Sequence, residues 1–187
     1  MNWTILLEPL KSLMTEQPSP PADGYPVILS ADRTSMADYG ALFGGMVSAS
    51  QTTTTPSVLH NSVLAPPVAS EGLRAVKAPL GLRRIEAALC TDGFAPENVA
   101  VVRPRDLERA TGPATRIIGL ASGDPLGVGM NSSTMEAVAG GTISTARRFQ
   151  NLARKIDSLR SLAPQLRTVV GGWPFGRVLP RRPDAPD

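Results

Sequence analysis

Two residue types that dominate metal and redox chemistry are almost missing from this chain: it has one cysteine, Cys90, and one histidine, His60. A single cysteine excludes an internal disulfide framework and supplies too few thiolates for an iron–sulfur cluster, which takes roughly three or four. A single histidine forbids a multi-histidine metal site. It also leaves any Ser-His-Asp hydrolase dependent on a residue in an irregular, proline-flanked segment, so we read His60 as a partly exposed side chain without a role. Aromatic residues are only 4% of the chain, and the 19 Lys and Arg that outnumber 16 Asp and Glu are dispersed rather than clustered. Nucleic acid is therefore not an expected partner. No apolar run approaches the roughly 18 residues of a membrane span. Met1 to Met14 carries Glu8 and Pro9 in place of a basic start and a long apolar core. Neither a membrane nor an export signal is expected, and the compartment reads as cytoplasmic.

Nucleotide motifs are missing as well. Gly127-Val128-Gly129 has Ser132 where a third glycine would complete G-x-G-x-x-G, and no Walker lysine followed by Ser or Thr occurs. A receiver-type phosphate acceptor at Asp32 or Asp124 competes with the commoner use of such an aspartate as a turn or helix cap.

What is present is a series of short apolar runs, each ending abruptly in a polar loop. Pro26 to Ser30, Asn98 to Val102, Thr115 to Ala121 and Leu166 to Val170 read as strands by their β-branched content and length. Between them, Leu82, Ile85, Leu89 and Cys90 mark one face of a helix that begins at Pro79 and that Gly93 can end, which makes Cys90 a core residue. Glu86, beside Arg83 and Arg84, reads as part of a solvated face. A short helix follows Pro104. A longer one from Ser144 to Ala163 carries Phe149, Leu152, Ile156 and Leu159 at helical spacing, with its arginines mostly off that stripe. Ser35 to Ala78 is irregular apart from a helix around Pro56 to Leu64, and its Gln51 to Thr55 run reads as a solvated loop.

Strands alternating with helices define an α/β class, a Rossmann-like doubly wound parallel sheet. Four strands are few for such a sheet, which commonly has about five or six, so the expectation is a domain cut short on its carboxyl side. The expected organisation is an appendage over 1–25, one domain over 26–172, and a Pro/Arg-rich tail over 173–187.

In open α/β sheets ligands sit beyond the carboxyl ends of the strands. Three unusual loops start there: Ser30 to Thr34, Ser122 to Gly129, and Gly171-Gly172. Their glycines let a large ligand approach the backbone, and Ser122, Asp124, Asn131, Ser132, Ser133 and Thr134 offer hydrogen bonds. The candidate binding residues are Ser30, Asp32, Arg33, Thr34, Ser122, Gly123, Asp124, Leu126, Gly127, Gly129, Gly171 and Gly172.

Several segments in order resemble the amino-terminal region of cobalamin-binding radical S-adenosylmethionine proteins. They are Ala31-Asp32-Arg33-Thr34, Leu42-Phe43-Gly44-Gly45-Met46, Gln51-Thr52-Thr53-Thr54-Thr55-Pro56, Leu64-Ala65-Pro66-Pro67, the stretch Ala78 to Leu89, and Gly123-Asp124-Pro125-Leu126-Gly127. The resemblance spans about Pro26 to Gly172. It implies a Rossmann-like module holding cobalamin against a following domain, in which a cysteine-ligated cluster cleaves S-adenosylmethionine and many members transfer methyl groups. By position, Ser122 resembles the hydroxyl residue that approaches the corrinoid nucleotide tail, Gly171-Gly172 the glycine pair that makes room for it, and Asp124 to Gly129 a wall of the same crevice. The chain departs from the pattern at two places. Asp32 is followed by Arg33 and Thr34, with no histidine for cobalt, and the C-x-x-x-C-x-x-C cluster motif is absent. The implied role is corrinoid binding without catalysis by this chain alone, with a separate radical S-adenosylmethionine chain as partner. The rival expectations are a nucleotide- or phosphate-binding enzyme domain using the Ser122 to Thr134 loop, and a non-catalytic interaction module or remnant.

Overall fold

A computed structural model describes residues 21–40 and 43–171. Most of the expected appendage, Leu42, Gly172 and the 173–187 tail lie outside the described residues. The main sheet has four parallel strands, β1 (Val27–Ala31), β4 (Val99–Val101), β5 (Ile117–Ala121) and β6 (Arg167–Gly171), in the order β4-β1-β5-β6. β1 is central, with Leu29 paired to Val101 on one side and Gly119 on the other, and all five of its residues are buried. β6 lies at one edge, where its residues alternate between exposed and half-buried.

The period of two along β1 sorts its side chains between two cores. Ile28 joins Ala100, Val102, Ile118 and Leu120 against Phe149, Leu152 and Ile156 of a long helix, α6 (Ser144–Ser158), with Leu159 beyond its end. Val27, Leu29 and Ala31 join Val99 and Val101 against Leu82 of α3 (Leu80–Thr91), Met36 and Val68. Helices therefore cover both faces, the doubly wound arrangement, and each large side chain so buried contributes about 1.5–3 kcal/mol. The apolar stripe expected for the long helix is the one that packs. Its last turn, Leu159–Ser161, tightens to 3₁₀.

The sequence reading of α3 needs correction on its outer face. Leu82 is buried, but Ile85 is exposed and Cys90 is half-buried, so the thiol is not a core residue. Glu86 is also more than a solvated side chain: it lies 2.7 Å from Arg83 and 3.5 Å from Arg74 of the β2–β3 hairpin (Ser70–Glu71 and Arg74–Ala75). Gly93 does end the helix. It adopts φ +100°, Phe94 N donates to Leu89 O, and Gly93 N donates to Cys90 O, the paired bonds of a Schellman cap.

The irregular stretch from Ser35 to Ala78 is tied to the sheet rather than loose. It contains α1 (Gly44–Ala49), then α2 (Ser57–Leu59) running on as a π-turn over His60–Leu64, and it buries Met36, Ala65, Val68, Leu73 and Ala75. Thr52, expected in a solvated loop, is buried in a bridge to Ile143. Arg103, just past β4, donates to Val68 O at 2.9 Å and is ion-paired with Asp106, which anchors this connection to the sheet.

A further helix, α5 (Met130–Ala139), lies where the sequence reading had a ligand loop. Its Met-Asn-Ser-Ser-Thr start has no apolar period to reveal it. The helix is pinned from outside, because Asp124 accepts hydrogen bonds from Val128 N, Gly129 N and Ser132 Oγ at 3.1, 2.9 and 2.5 Å. Glycine at 129 gives the Asp124 carboxylate room to close on the helix start, since a Cβ would lie 2.8 Å from Asp124 Oδ2 and push it aside.

Candidate functional site

The chain runs from β1 outward to β4, then returns across β1 to β5 and β6, so the strand order reverses between β1 and β5. That reversal opens a crevice at the carboxyl edge, the usual ligand position of a doubly wound sheet. The protein has a cleft of about 400 Å³ there. Thr34, Ser35 and Tyr39 line it from the loop after β1, and Gly45 and Ala49 from α1. Gly123, Asp124 and Gly129 line it from the loop after β5, Met130, Asn131 and Ser132 from α5, and Thr145 from α6.

The loop after β1 is folded on Asp32, which is fully buried. Its Oδ1 accepts from Thr34 N at 2.9 Å and Ser35 N at 3.2 Å, and its Oδ2 from Ser35 Oγ at 2.8 Å. Burial pushes its carboxyl above the usual carboxylate range, against the pull of these hydrogen bonds and of the Ser122 hydroxyl. Tyr39 closes the same loop by donating its hydroxyl to Thr34 O at 2.6 Å, and burial raises its pKa.

Two hydroxyls lining the cleft are left without partners: Thr34 Oγ1 and Thr145 Oγ1 are buried, in residues 6% and 8% exposed, and neither has a hydrogen bond. Ser122 Oγ, in a residue 5% exposed, interacts with the Asp32 carboxyl but forms no hydrogen bond of ordinary geometry. Thr34 and Thr145 line the cleft, while Ser122 immediately precedes Gly123 in its wall. A buried polar group without a bond costs about 1–3 kcal/mol, and Thr34 and Thr145 carry that cost at the cleft lining, where a ligand's polar groups could relieve it. The elements that border the cleft carry exposed apolar side chains: Leu126 and Val128 on the loop after β5, Met130, exposed by 87%, on α5, and Met46 and Val47 on α1 with Phe43 just before it.

The candidate residues fall into distinct groups. Thr34, Gly123, Asp124 and Gly129 line the cleft, Ser122 sits behind it, and Leu126 stands exposed on the loop that borders it. Gly127, at φ +69°, turns toward Ile143 and Ala146 and serves the loop's shape. Gly171 ends β6, and its carbonyl accepts from Ser122 N at 3.3 Å. Ser30 is spent inside the sheet, donating to Val102 O at 2.7 Å, and Asp32 holds its own loop. Arg33 reaches away to the π-turn, where Nη2 donates to Asn61 O at 2.9 Å. The hydroxyls of Ser133 and Thr134 bond back to their own helix, leaving only Asn131 and Ser132 of that group in the cleft. Tyr39, Ala49 and Thr145 were not legible in the sequence, because a fold-back of forty-odd residues and a distant helix bring them to the edge.

His60 is the largest departure from expectation. It is 1% exposed, and both ring nitrogens are engaged. Nδ1 accepts from Arg148 Nη2 at 2.7 Å, because a guanidinium can only donate. That fixes the proton on Nε2, which donates to Ser48 O at 3.1 Å. Burial and the neighbouring arginines lower its pKa. His60 is a structural tie between α1, the π-turn and α6, and it is not free to ligate a metal.

The fold is that of a doubly wound α/β protein with a cleft at the switch point. No protein-family model matches the chain, and no curated protein or solved structure matches it. Among the described residues no three His, Cys, Asp or Glu gather as a metal site, and no helix is long and apolar enough to cross a membrane.

Proposed function

We propose that this chain is a cobalamin-binding module. The observation that carries the reading is the pair of unpartnered hydroxyls lining a switch-point cleft, Thr34 and Thr145, with the buried Ser122 hydroxyl behind its wall and exposed apolar side chains on the bordering elements. A corrinoid has matching halves: a polar nucleotide tail that needs hydrogen bonds, and a broad ring that needs flat contact. Thr34, Ser122 and Thr145 would bond the tail, Gly123 and Gly129 would admit it close to the backbone, and Leu126, Val128 and Met130 would meet the ring. His60 is buried and committed to Arg148 and Ser48, so the described residues offer no imidazole to cobalt. The cofactor would supply cobalt-centred reactivity, and this chain would supply placement. Methyl transfer would further require a cluster-bearing radical S-adenosylmethionine domain on a partner chain.

Cobalamin mixed with the purified chain is expected to leave a bound chromophore after desalting, with retention lowered at least tenfold in Thr145→Val. Loss of all absorbance from the wild-type chain on desalting, with the free cofactor presented in both base-on and base-off forms, would refute the assignment.

A further inference from the structure

Beside the cleft, a second group of side chains carries charge that no ion pair among the described residues balances. Arg33, from the loop after β1, and Arg148, from α6, converge on Asn61 of the π-turn. Arg33 Nη2 donates to Asn61 O at 2.9 Å, and Arg148 Nη1 donates to Asn61 Oδ1 at 2.7 Å. Neither guanidinium forms an ion pair with a carboxylate among the described residues. The Nε of each is buried without an acceptor. Both side chains remain half-buried rather than sealed, so their outer faces can be reached.

The surroundings add positive charge rather than removing it. Arg105 repels Arg33, and Arg33 repels Arg148, so both guanidinium pKa values are lowered, with burial as the larger cause. His60 accepts from Arg148, and burial followed by the neighbouring arginines lowers its pKa, so it offers no compensating negative charge. Asp32 is the acidic group that favours the Arg148 charge, but it is already occupied by Thr34 and Ser35 and is biased by burial toward its neutral form. Two partly desolvated cations held together without a counter-charge are costly, and a bound anion is the direct compensation.

We infer that Arg33 and Arg148, spaced by Asn61, form a binding site for a phosphate-type oxyanion. Guanidinium groups match tetrahedral oxyanions through directed, charge-assisted hydrogen bonds, and a doubly charged anion balances two arginines where a single carboxylate does not. The site is separate from the cleft hydroxyls and does not rest on cobalamin binding. Tyr39 connects the two, lining the cleft while interacting with Arg148.

The probe is inorganic phosphate added to the purified chain without cobalamin, against sodium chloride at equal ionic strength. Phosphate at about five times its dissociation constant is expected to raise the thermal midpoint by about 2–4 °C, with matching ³¹P line broadening. Arg33→Gln should abolish both effects, whereas Arg84→Gln on the exposed side of α3 should keep them. Adenosine monophosphate serves as a second arm. Stronger stabilisation than by phosphate assigns the anion to a larger ligand, and equal stabilisation assigns it to the free ion. Phosphate acting no better than chloride, or acting equally on Arg33→Gln, overturns the site. The ³¹P measurement on the unaltered chain decides the matter even if a variant folds poorly.

Discussion

The loops after β1 and β5 are each folded around one aspartate that accepts two backbone N–H groups and one serine hydroxyl, yet they are built for different ends. Asp32 is fully buried and its loop turns directly into the core through Met36, whereas Asp124 is half-exposed and its loop carries the protruding Leu126, Val128 and Met130. The same local hydrogen-bond pattern thus packs one loop against the core and leaves the other carrying exposed apolar side chains. Solvent access, not bonding pattern, separates the two.

Removing each aspartate in turn tests that separation. Asp32→Ala removes the acceptor of three donors at a fully buried position, and it should cost about 2–3 kcal/mol in urea unfolding. Asp32→Asn keeps an acceptor and should cost less. Asp124→Ala should cost only about 1–2 kcal/mol, because water can reach its donors, while it frays the start of α5 and weakens cobalamin retention. Equal losses at the two positions would mean that the difference in burial has no energetic weight.

The two sides of the β1 loop also differ in their response to acid. Asp32 has a folded pKa above its usual 3.8, so the folded state takes up its proton first. Stability from this group rises as pH falls through the raised pKa toward 3.8 and then levels off. His60 acts oppositely, with a folded pKa below the usual 6.5. The unfolded chain binds the proton first, so stability is lost as pH falls from 6.5 toward the lowered value. Urea midpoints of the wild type and His60→Gln should therefore diverge with pH between 7.5 and 5.5, and parallel curves would show that His60 ionises freely in the fold.

Much of the sheet was legible in the sequence because each strand is a short apolar run with a polar exit, a purely local signal. The α6 stripe was legible for the same reason. His60 was misread because its burial comes from Arg148, a residue far along the chain on another element, and nothing local foretells a guanidinium that donates to an imidazole. α5 was hidden because its start is fixed by Asp124 from outside the helix, while its own serines and threonine read as loop donors. In the cleft the sequence reading found the strand-end loops, which are local, but not Tyr39 or Thr145, which arrive through tertiary packing. Ser30 and Arg33 show the converse: proximity to a strand end in sequence does not decide whether a side chain faces the crevice, the sheet or a neighbouring turn.

The smallest stability effect discriminates most finely between wall and ligand surface. Ser122 Oγ is buried and forms no hydrogen bond of ordinary geometry, its interaction with the Asp32 carboxyl falling short of one, so the folded chain carries the desolvation of a hydroxyl without a full compensating bond. Ser122→Ala removes that cost along with very little volume, and the ligand-free protein should be unchanged or more stable by up to about 1 kcal/mol. Cobalamin retention should move the other way, falling about tenfold, because the ligand loses the bond for which the hydroxyl is held. Ser30→Ala supplies the contrast. Its hydroxyl already donates to Val102 O, so its removal should destabilise the protein by about 1 kcal/mol and leave retention unchanged. Opposite signs at two serines flanking the same switch point would separate a residue that builds the sheet from one that waits for a ligand. Destabilisation by Ser122→Ala with unaltered retention would instead place Ser122 in the wall.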